Sequence, residues 1–128
     1  MANPRSATHL YKILTPSDYA ALPTTPSSSW TGASIDLSDG FIHLSTSRQL
    51  AGTLSRFFST EPEVWICGVE RQRLGPEDGE SPRLRWEEAA GTVFAHVYGT
   101  LSPAEDFTIR HKVERGRDGE WVLPELTF

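Results

Sequence analysis

The sequence predicts an α+β fold, with one compact domain whose mostly antiparallel sheet has about six strands and one main helix. Short apolar segments recur along the chain without the regular alternation of strand and helix that a parallel βαβ fold requires. Residues 46–58 carry apolar side chains at helical spacing over several turns. With 128 residues, of which 38% are hydrophobic, the chain is large enough to enclose one core.

The sequence predicts a disordered tail over residues 1–7 and a single domain over residues 8–128. The tail lacks an apolar signal core, and no apolar stretch reaches the roughly 18 residues that a membrane-spanning helix needs. We therefore expect a cytoplasmic protein without a membrane partner. Cys67 is the single cysteine and lies in an apolar run, which favours a buried side chain over a reactive thiol.

The net charge of −5 restricts the choice of ligand. The twelve basic residues are scattered, whereas long polyanions require clustered Lys and Arg, so extended nucleic acid is not an expected partner. A small anionic or nucleotide ligand in a local pocket is compatible with this charge. No Cys/His cluster has the spacing of a zinc site, so no metal is expected, and no pattern identifies a cofactor or an oligomeric state.

The first part of the chain contains clear strand and helix signals. Alternating side chains predict a strand over His9–Leu14, and Thr15 before a proline predicts the start of a short helix that ends at Pro23. Residues 23–34 are rich in Pro, Ser and Thr and predict a loop. An Asp-Gly turn then leads into a short strand at residues 41–45.

The main helix is predicted over residues 46–58, where Thr46 and Gln49 match a capping box. Its apolar face consists of Leu50, Leu54, Phe57 and Phe58. Continuous apolar residues at 64–69 predict a strand buried on both faces. The remaining elements are a loop at 70–82, strands at 83–87, 92–98 and 107–113, and a closing hairpin through 117–123.

Strand alternation places polar and aromatic side chains together on one face of two predicted strands. His43 shares a face with Ser45, and in a later strand His96 shares a face with Tyr98. The opposite faces are aliphatic and suit the core, so the mixed faces predict the wall of a ligand pocket. His43 and His96 are the main catalytic candidates, with surface or structural histidines as the alternative.

Four further residues lie close to this predicted pocket. Thr46 or Ser45 caps the main helix in the structural interpretation. In the functional interpretation, the free N–H groups of a helix that begins directly after His43 bind an anionic ligand group. Tyr11 and Lys12 join the pocket if the first strand lies beside the histidine strands.

Arg85, Trp86 and Glu87 form a third polar cluster. Alternation places Arg85 and Glu87 on one face and Trp86 on the other. One interpretation is an ion pair on a solvated strand. In the other, Arg85 holds an anion and Glu87 acts as a base or hydroxyl acceptor. Asp39 is expected to serve only the Asp-Gly turn.

The segment at residues 39–46, Asp-Gly-Phe-Ile-His-Leu-Ser-Thr, closely resembles the signature of an uncharacterised family, the domain-of-unknown-function family 952. The other matching segments are 10–13, 36–37, 84–87, 94–99 and 119–124. Together they cover nearly the whole chain in order. The family usually has Pro at the position of Ala95 and a charged helical connection in place of residues 23–30, but neither departure touches the two histidines.

The resemblance implies a remote similarity to the ADP-ribosyltransferase-like fold, and with it a pocket for an NAD-type nucleotide or an ADP-ribose group. The implied ligand contacts are His43, Ser45 and Thr46 for ribose and phosphate, and Tyr98 or Trp86 for nicotinamide. Glu87 corresponds less closely to the fold's usual acid, which precedes a late strand in a different motif.

Three functions are compatible with these residues. The first is an ADP-ribosyltransferase-like transferase or an NAD glycohydrolase, with NAD as the substrate and with His43, His96 and Glu87 at the reacting centre. Such an enzyme would orient the ribose and stabilise an oxocarbenium-like charge.

The second function is a two-histidine phosphoesterase that acts on a small phosphate ester. Residues 43–45 have the required His-x-Ser form, whereas residues 96–98 have Tyr in the last position. The third function is a non-catalytic module that binds a small ligand or presents Trp30 and Trp121 to a protein partner.

Overall fold

The computed structural model describes residues 3–76 and 82–128. These residues form a small α+β structure in which all strand pairs are antiparallel. The strands are β1 (His9–Leu14), β2 (Ile42–Leu44), β3 (Glu63–Glu70), β4 (Leu84–Ala89), β5 (Thr92–Val97) and β6 (Ile109–Glu114). The helices are α1 (Pro16–Ala20), α2 (Ser34–Asp39), α3 (Leu50–Phe57) and α4 (Pro103–Asp106).

The described strands form two sheets of three, with the orders β1-β3-β6 and β2-β5-β4. This arrangement corrects the expected single sheet of about six strands. The sheets meet at one β-bridge, where the backbone N–H of Tyr11 donates to the Ser45 carbonyl (2.7 Å) and the N–H of Ser45 donates to the Tyr11 carbonyl (2.8 Å). We call the line where β1 meets β2 the seam.

Strand β3 lies in the middle of the first sheet, as its continuous apolar sequence predicts. Its Cys67 is buried, and burial raises the pKa of the thiol to about 12, which keeps it protonated. One hydrophobic cluster fills the space between the two sheets, and a second packs under α3. The second cluster includes Tyr11, Leu50, Leu54 and Ile66.

Two predicted helix starts have different outcomes. Helix α1 begins as predicted, because Thr15 Oγ1 accepts a hydrogen bond from the Asp18 N–H at 3.2 Å. Helix α3 begins at Leu50 rather than at residue 46. Gln49 Oε1 does accept from the Thr46 N–H (3.0 Å), but within the described residues the Thr46 hydroxyl has no hydrogen-bond partner. Of the two reciprocal hydrogen bonds of a capping box, only the one from the Thr46 N–H to Gln49 therefore forms. It closes a turn that precedes the helix.

Several other elements differ from their predictions. Helix α2 replaces part of the expected loop and turn, with Gly40 in the left-handed conformation (φ 85°) at its end. Phe57, expected on the buried face of α3, is the last residue of the helix and is 73% exposed. The expected closing hairpin is reduced to one bridge between Arg115 and Trp121. The loop expected at 70–82 begins with a 3-10 turn at Arg71–Leu74, and its residues 77–81 lie outside the described part.

The N-terminal segment is more ordered than the disordered tail expected at residues 1–7. Pro4–Ser6 form a 3-10 turn, and Ala7 is fully buried in the first hydrophobic cluster. The Thr8 N–H then donates to the Phe128 carbonyl at 2.8 Å, which ties this segment to the C-terminal end of the chain. The first two residues lie outside the described part. Across 3–76 and 82–128, no helix is long and apolar enough to cross a membrane.

Close packing at the centre of the first sheet makes Gly68 a sensitive position. A Cβ atom on Gly68 would lie 2.7 Å from the Tyr11 ring and 3.1 Å from the Ile109 side chain. We expect Gly68→Ala to lower the free energy of unfolding by about 1–3 kcal/mol, the usual cost of overpacking a core. Urea denaturation monitored by tryptophan fluorescence measures the change.

Gly52→Ala is the matched control for this prediction. Gly52 lies inside α3, where an added Cβ would meet only the flexible end of Arg56 at 3.2 Å. Alanine favours the helix over glycine, so this change should raise stability by about 0.5–1 kcal/mol. Equal effects of the two substitutions would contradict the packing argument.

Candidate functional site

The two candidate histidines lie directly opposite each other in the second sheet. Strand register pairs His43 on β2 with His96 on β5, and pairs His96 with Arg85 on β4. The centres of the two imidazole rings are 5.3 Å apart. Phe41 packs against both of them, with ring centres 4.7 Å from His43 and 4.1 Å from His96. The two strand faces that carry the histidines therefore converge.

His43 is held between two aspartates of α2. Its Nδ1 lies 2.6 Å from Asp36 Oδ1, and its backbone N–H donates to the same oxygen at 3.0 Å. Its Nε2 lies 2.9 Å from Asp39 Oδ2. Asp36 is fully buried, whereas the Asp39 side chain is 43% exposed. Asp39 therefore does more than form the turn expected from the sequence, because its carboxylate contacts the outward nitrogen of a candidate catalytic residue.

Lys12 forms a buried ion pair with Asp36 across the seam. Lys12 Nζ lies 2.8 Å from Asp36 Oδ1, and the side chains are 4% and 0% exposed. Burial by itself would raise the Asp36 pKa, but hydrogen bonds from His43 and the Lys12 charge outweigh it and hold the pKa below its ordinary value. Burial lowers the pKa of Lys12, and the Asp36 carboxylate opposes that effect. The carboxylate that holds His43 is thus ionised at neutral pH.

Glu87 forms an equivalent contact with the second histidine. Its Oε1 lies 2.8 Å from His96 Nδ1 and accepts from the Tyr98 hydroxyl at 2.6 Å. The Tyr98 and His96 hydrogen bonds lower the Glu87 pKa, and the same Tyr98 bond raises the pKa of the tyrosine. Burial lowers the pKa of His96 despite its bond to Glu87. An ionised carboxylate, a neutral phenol and a neutral imidazole therefore meet here at neutral pH.

Arg85 completes the exposed side of the site. Its guanidinium carbon lies 4.2 Å from the centre of the Tyr98 ring, a cation–π geometry, and its side chain is exposed. Trp86 lies on the other face of β4, where it packs against the first hydrophobic cluster. The interpretation of Arg85 and Glu87 as a simple surface ion pair is replaced by their separate contacts with Tyr98 and His96.

The structure brings together six of the ten residues selected from the sequence: Lys12, His43, Arg85, Glu87, His96 and Tyr98. Tyr11 is fully buried in the second cluster, where its hydroxyl donates to the Thr127 carbonyl at 2.7 Å. Ser45 Oγ faces Thr53 of α3 at 3.5 Å, and Thr46 is 1% exposed. Because α3 begins at Leu50, no helix N-terminus directly follows His43.

Three residues have contacts with the histidines that the sequence does not reveal, namely Asp36, Asp39 and Phe41. Alternation places Phe41 on the same face as His43, but an aromatic side chain alone does not identify a site. Spacing gives no signal for the two aspartates, because α2 is only six residues long and its sequence predicts a loop and turn. One feature of the sequence does predict a buried acid. Lys12 lies inside an apolar strand, and a buried lysine requires a negatively charged partner.

No group of three or more His, Cys, Asp or Glu residues in the described part of the chain has the geometry of a metal site. An open cleft of about 530 Å³ lies elsewhere, around the β4–β5 turn at residues 88–93. Its lining lacks the two histidines. We call Asp36, His43, Glu87, His96 and Tyr98 the paired-histidine site.

Comparison with known proteins identifies the family. The family model for DUF952, a protein family of unknown function, matches residues 8–106. The chain belongs to the DUF952 family. It is also similar to CC0527 from Caulobacter crescentus, with 30% identity to its crystal structure over 90% of this chain and 94% of that chain, and a TM-score of 0.74.

The solution structure of CC0527 is likewise similar to this DUF952 protein. It shares 30% identity over 88% of this chain and 90% of that chain, with a TM-score of 0.68. No curated protein matches the sequence. The family assignment made from the sequence is thereby confirmed, and it carries no established activity.

Because the Lys12–Asp36 pair is buried, removing the Lys12 charge should cost more stability than removing the charge of a lysine in a surface ion pair. Lys12→Met leaves Asp36 buried without its cation, so we expect unfolding free energy to fall by about 3–5 kcal/mol. Lys112→Met is the control, because Lys112 pairs with Glu63 at 3.1 Å on the surface, with side chains 48% and 31% exposed. That change should cost no more than about 1 kcal/mol. Chemical denaturation of the three proteins measures both values, and equal losses would contradict the importance of the pair.

The lowered pKa of His96 predicts a loss of stability in mild acid. Below its ordinary imidazole pKa of 6.5, the unfolded chain binds the proton more readily than the folded chain does, so unfolding becomes more favourable as pH falls. We expect His96→Gln to flatten the decline in unfolding free energy between about pH 7 and pH 5. Denaturation curves across this range test the prediction. Parallel pH profiles of wild type and variant would show that His96 does not cause the decline.

Proposed function

We propose that this protein binds an NAD-type nucleotide or an ADP-ribose group at the paired-histidine site and acts at the ribosyl carbon. The observation that carries the proposal is the environment of Glu87. Its pKa is lowered, so it is ionised, and one oxygen accepts from both Tyr98 and His96. An ionised carboxylate in this environment is suited to stabilise a positive charge that develops on a bound sugar.

The balance of charge around the histidines supports chemistry at a ribosyl carbon. Three carboxylates, those of Asp36, Asp39 and Glu87, face two cationic side chains, those of Lys12 and Arg85. When both histidines are neutral, the site therefore carries excess negative charge. This charge favours an oxocarbenium-like transition state over one that accumulates negative charge on a phosphate.

The residues have distinct roles in this proposal. The bond between the ribosyl carbon and nicotinamide breaks with its electron pair on nicotinamide, and water or an acceptor hydroxyl adds to the carbon. Glu87 balances the positive charge and accepts the proton of the attacking hydroxyl. Arg85 is exposed beside Tyr98, where its cation is available for the nucleotide phosphates. His43 and His96 orient the ribose hydroxyls. An ADP-ribosyltransferase-like fold is part of the same proposal.

Ligand-induced stabilisation tests this function. We expect NAD or ADP-ribose to raise the melting temperature of wild type, because a ligand at ~100 times its dissociation constant adds about 2.7 kcal/mol of stability. For a domain of this size, that corresponds to several degrees. Release of nicotinamide from NAD, followed by chromatography, measures turnover.

Two glutamine substitutions on the same strand form a matched pair for this test. Glu87→Gln should abolish nicotinamide release with little effect on melting temperature without ligand. Glu88→Gln changes an exposed neighbour on the opposite face of β4 and should leave both ligand binding and turnover intact. A wild type that neither melts higher with these ligands nor releases nicotinamide would remove the proposal.

A two-histidine phosphoesterase is the second candidate, and the pairing of His43 with His96 favours it. Each Nδ1 contacts a carboxylate, an arrangement in which one imidazole can act as general base and the other as general acid. Opening of a 2′,3′-cyclic nucleotide, with a bell-shaped pH profile lost in His43→Ala and in His96→Ala, would select this function over the first. Binding without either reaction would instead support the non-catalytic module.

A further inference from the structure

We propose that Asp36 is a positioning residue that fixes His43 with a proton on Nδ1 and with Nε2 directed out of the seam. The inference rests on the proposed function only in assuming that His43 contacts the ligand. Nothing in the sequence pattern or the family assigns this role to Asp36. Its basis is the set of contacts around one buried carboxylate.

The Asp36 carboxylate is fixed from several directions before it contacts the imidazole. Oδ2 accepts from the Ala33 N–H at 2.8 Å, and Oδ1 accepts from the His43 N–H at 3.0 Å. These backbone donors lie at the start of α2 and on β2, so the carboxylate cannot rotate without losing a hydrogen bond. A fully buried ionised carboxylate also has only acceptor capacity. The nitrogen that meets it, His43 Nδ1, must therefore carry a hydrogen.

Lys12 provides the charge balance for this arrangement. It reaches Asp36 from β1 of the other sheet, with Nζ at 2.8 Å from Oδ1. The ion pair keeps the carboxylate ionised, as its lowered pKa indicates, so Asp36 orients the imidazole without taking its proton. Lys12 bonds to the carboxylate while Asp36 bonds to the imidazole, so the role of the lysine is electrostatic rather than geometric.

The contact with the imidazole is the shortest of the four that Asp36 makes with Lys12, Ala33 and His43, at 2.6 Å. A residue that served only to join the sheets would need the lysine and the backbone donors alone. The arrangement is also repeated at the paired position, where His96 Nδ1 meets Glu87 at 2.8 Å. Two carboxylates that each hold Nδ1 of facing histidines point to a common purpose, which is to fix the orientation of both imidazoles. Nε2 of His43 then meets the partly exposed carboxylate of Asp39 at 2.9 Å.

Nitrogen NMR of the full chain labelled with ¹⁵N-histidine tests the proposal directly. We expect wild-type His43 to show a protonated Nδ1 whose hydrogen exchanges slowly with water. His43→Gln assigns the signal. A bare Nδ1, with the hydrogen on Nε2 facing Asp39, would overturn the proposal without any further variant.

Three variants separate positioning from general stability. Asp36→Asn should remove the protected Nδ1–H of His43 and leave that of His96, whereas Glu87→Gln should do the reverse. Asp36→Asn also replaces one acceptor oxygen with a donor where several donors converge, so a second variant guards against its failure to fold. Asp39→Asn serves this purpose, because the Asp39 side chain is 43% exposed and its change keeps every contact of Asp36. In Asp39→Asn the His43 Nδ1 signal should persist, and its loss there would contradict the role assigned to Asp36.

The NMR result and the ligand result can fail independently. If NAD and ADP-ribose neither bind nor react but the protected Nδ1–H of His43 depends on Asp36, the positioning role stands and the proposed substrate is wrong. If NAD is processed but His43 has a bare Nδ1, the substrate stands and Asp36 serves only to join the sheets. Both measurements use the unmodified chain as the reference.

Discussion

The ion pair between Lys12 and Asp36 is the interaction on which the arrangement of the site depends. It joins a strand of one sheet to the helix that precedes the other sheet, at the seam where the two sheets share one β-bridge. Burying two charges costs more than their attraction returns unless the remaining donors and acceptors are also satisfied. Here backbone N–H groups and the His43 ring satisfy the carboxylate. The pair therefore joins the two sheets and keeps Asp36 ionised, and the hydrogen bonds of Asp36 then orient His43.

The strands are well predicted from the sequence because their signals are local. Alternation locates β1, and continuous apolar residues locate β3 at the centre of its sheet. The division into two sheets is not predictable in this way, since it depends on which distant strands pair and on β2 being only three residues long. The predicted start of α3 is wrong because the same sequence pattern also occurs in turns outside helices. Here the Gln49 side chain accepts from the Thr46 N–H and closes a turn before the helix begins.

The candidate site shows the same limit. The period of two along β-strands places His43 and His96 on converging faces and groups Glu87 with Arg85, in agreement with the strand register. The same reasoning passes over Asp36, because its partners Lys12 and His43 are 24 and 7 residues away in sequence. Burial of an acid is decided by the tertiary structure, and six residues of α2 give no periodic signal that would anticipate it.

The two carboxylate–histidine contacts differ in a way that suggests how a ligand would enter. Asp36 is fully enclosed and bonded through both oxygens. The Glu87 side chain is 40% exposed, and its two hydrogen bonds within residues 3–76 and 82–128 both use Oε1. The first contact is therefore rigid, and the second has an oxygen available to meet a ligand. Tyr98 and Arg85 lie on this same open side. A ligand that approaches from there would first meet the Glu87–His96 contact, whose carboxylate is partly exposed. It would then be aligned against His43, whose position is already set by Asp36 before the ligand binds.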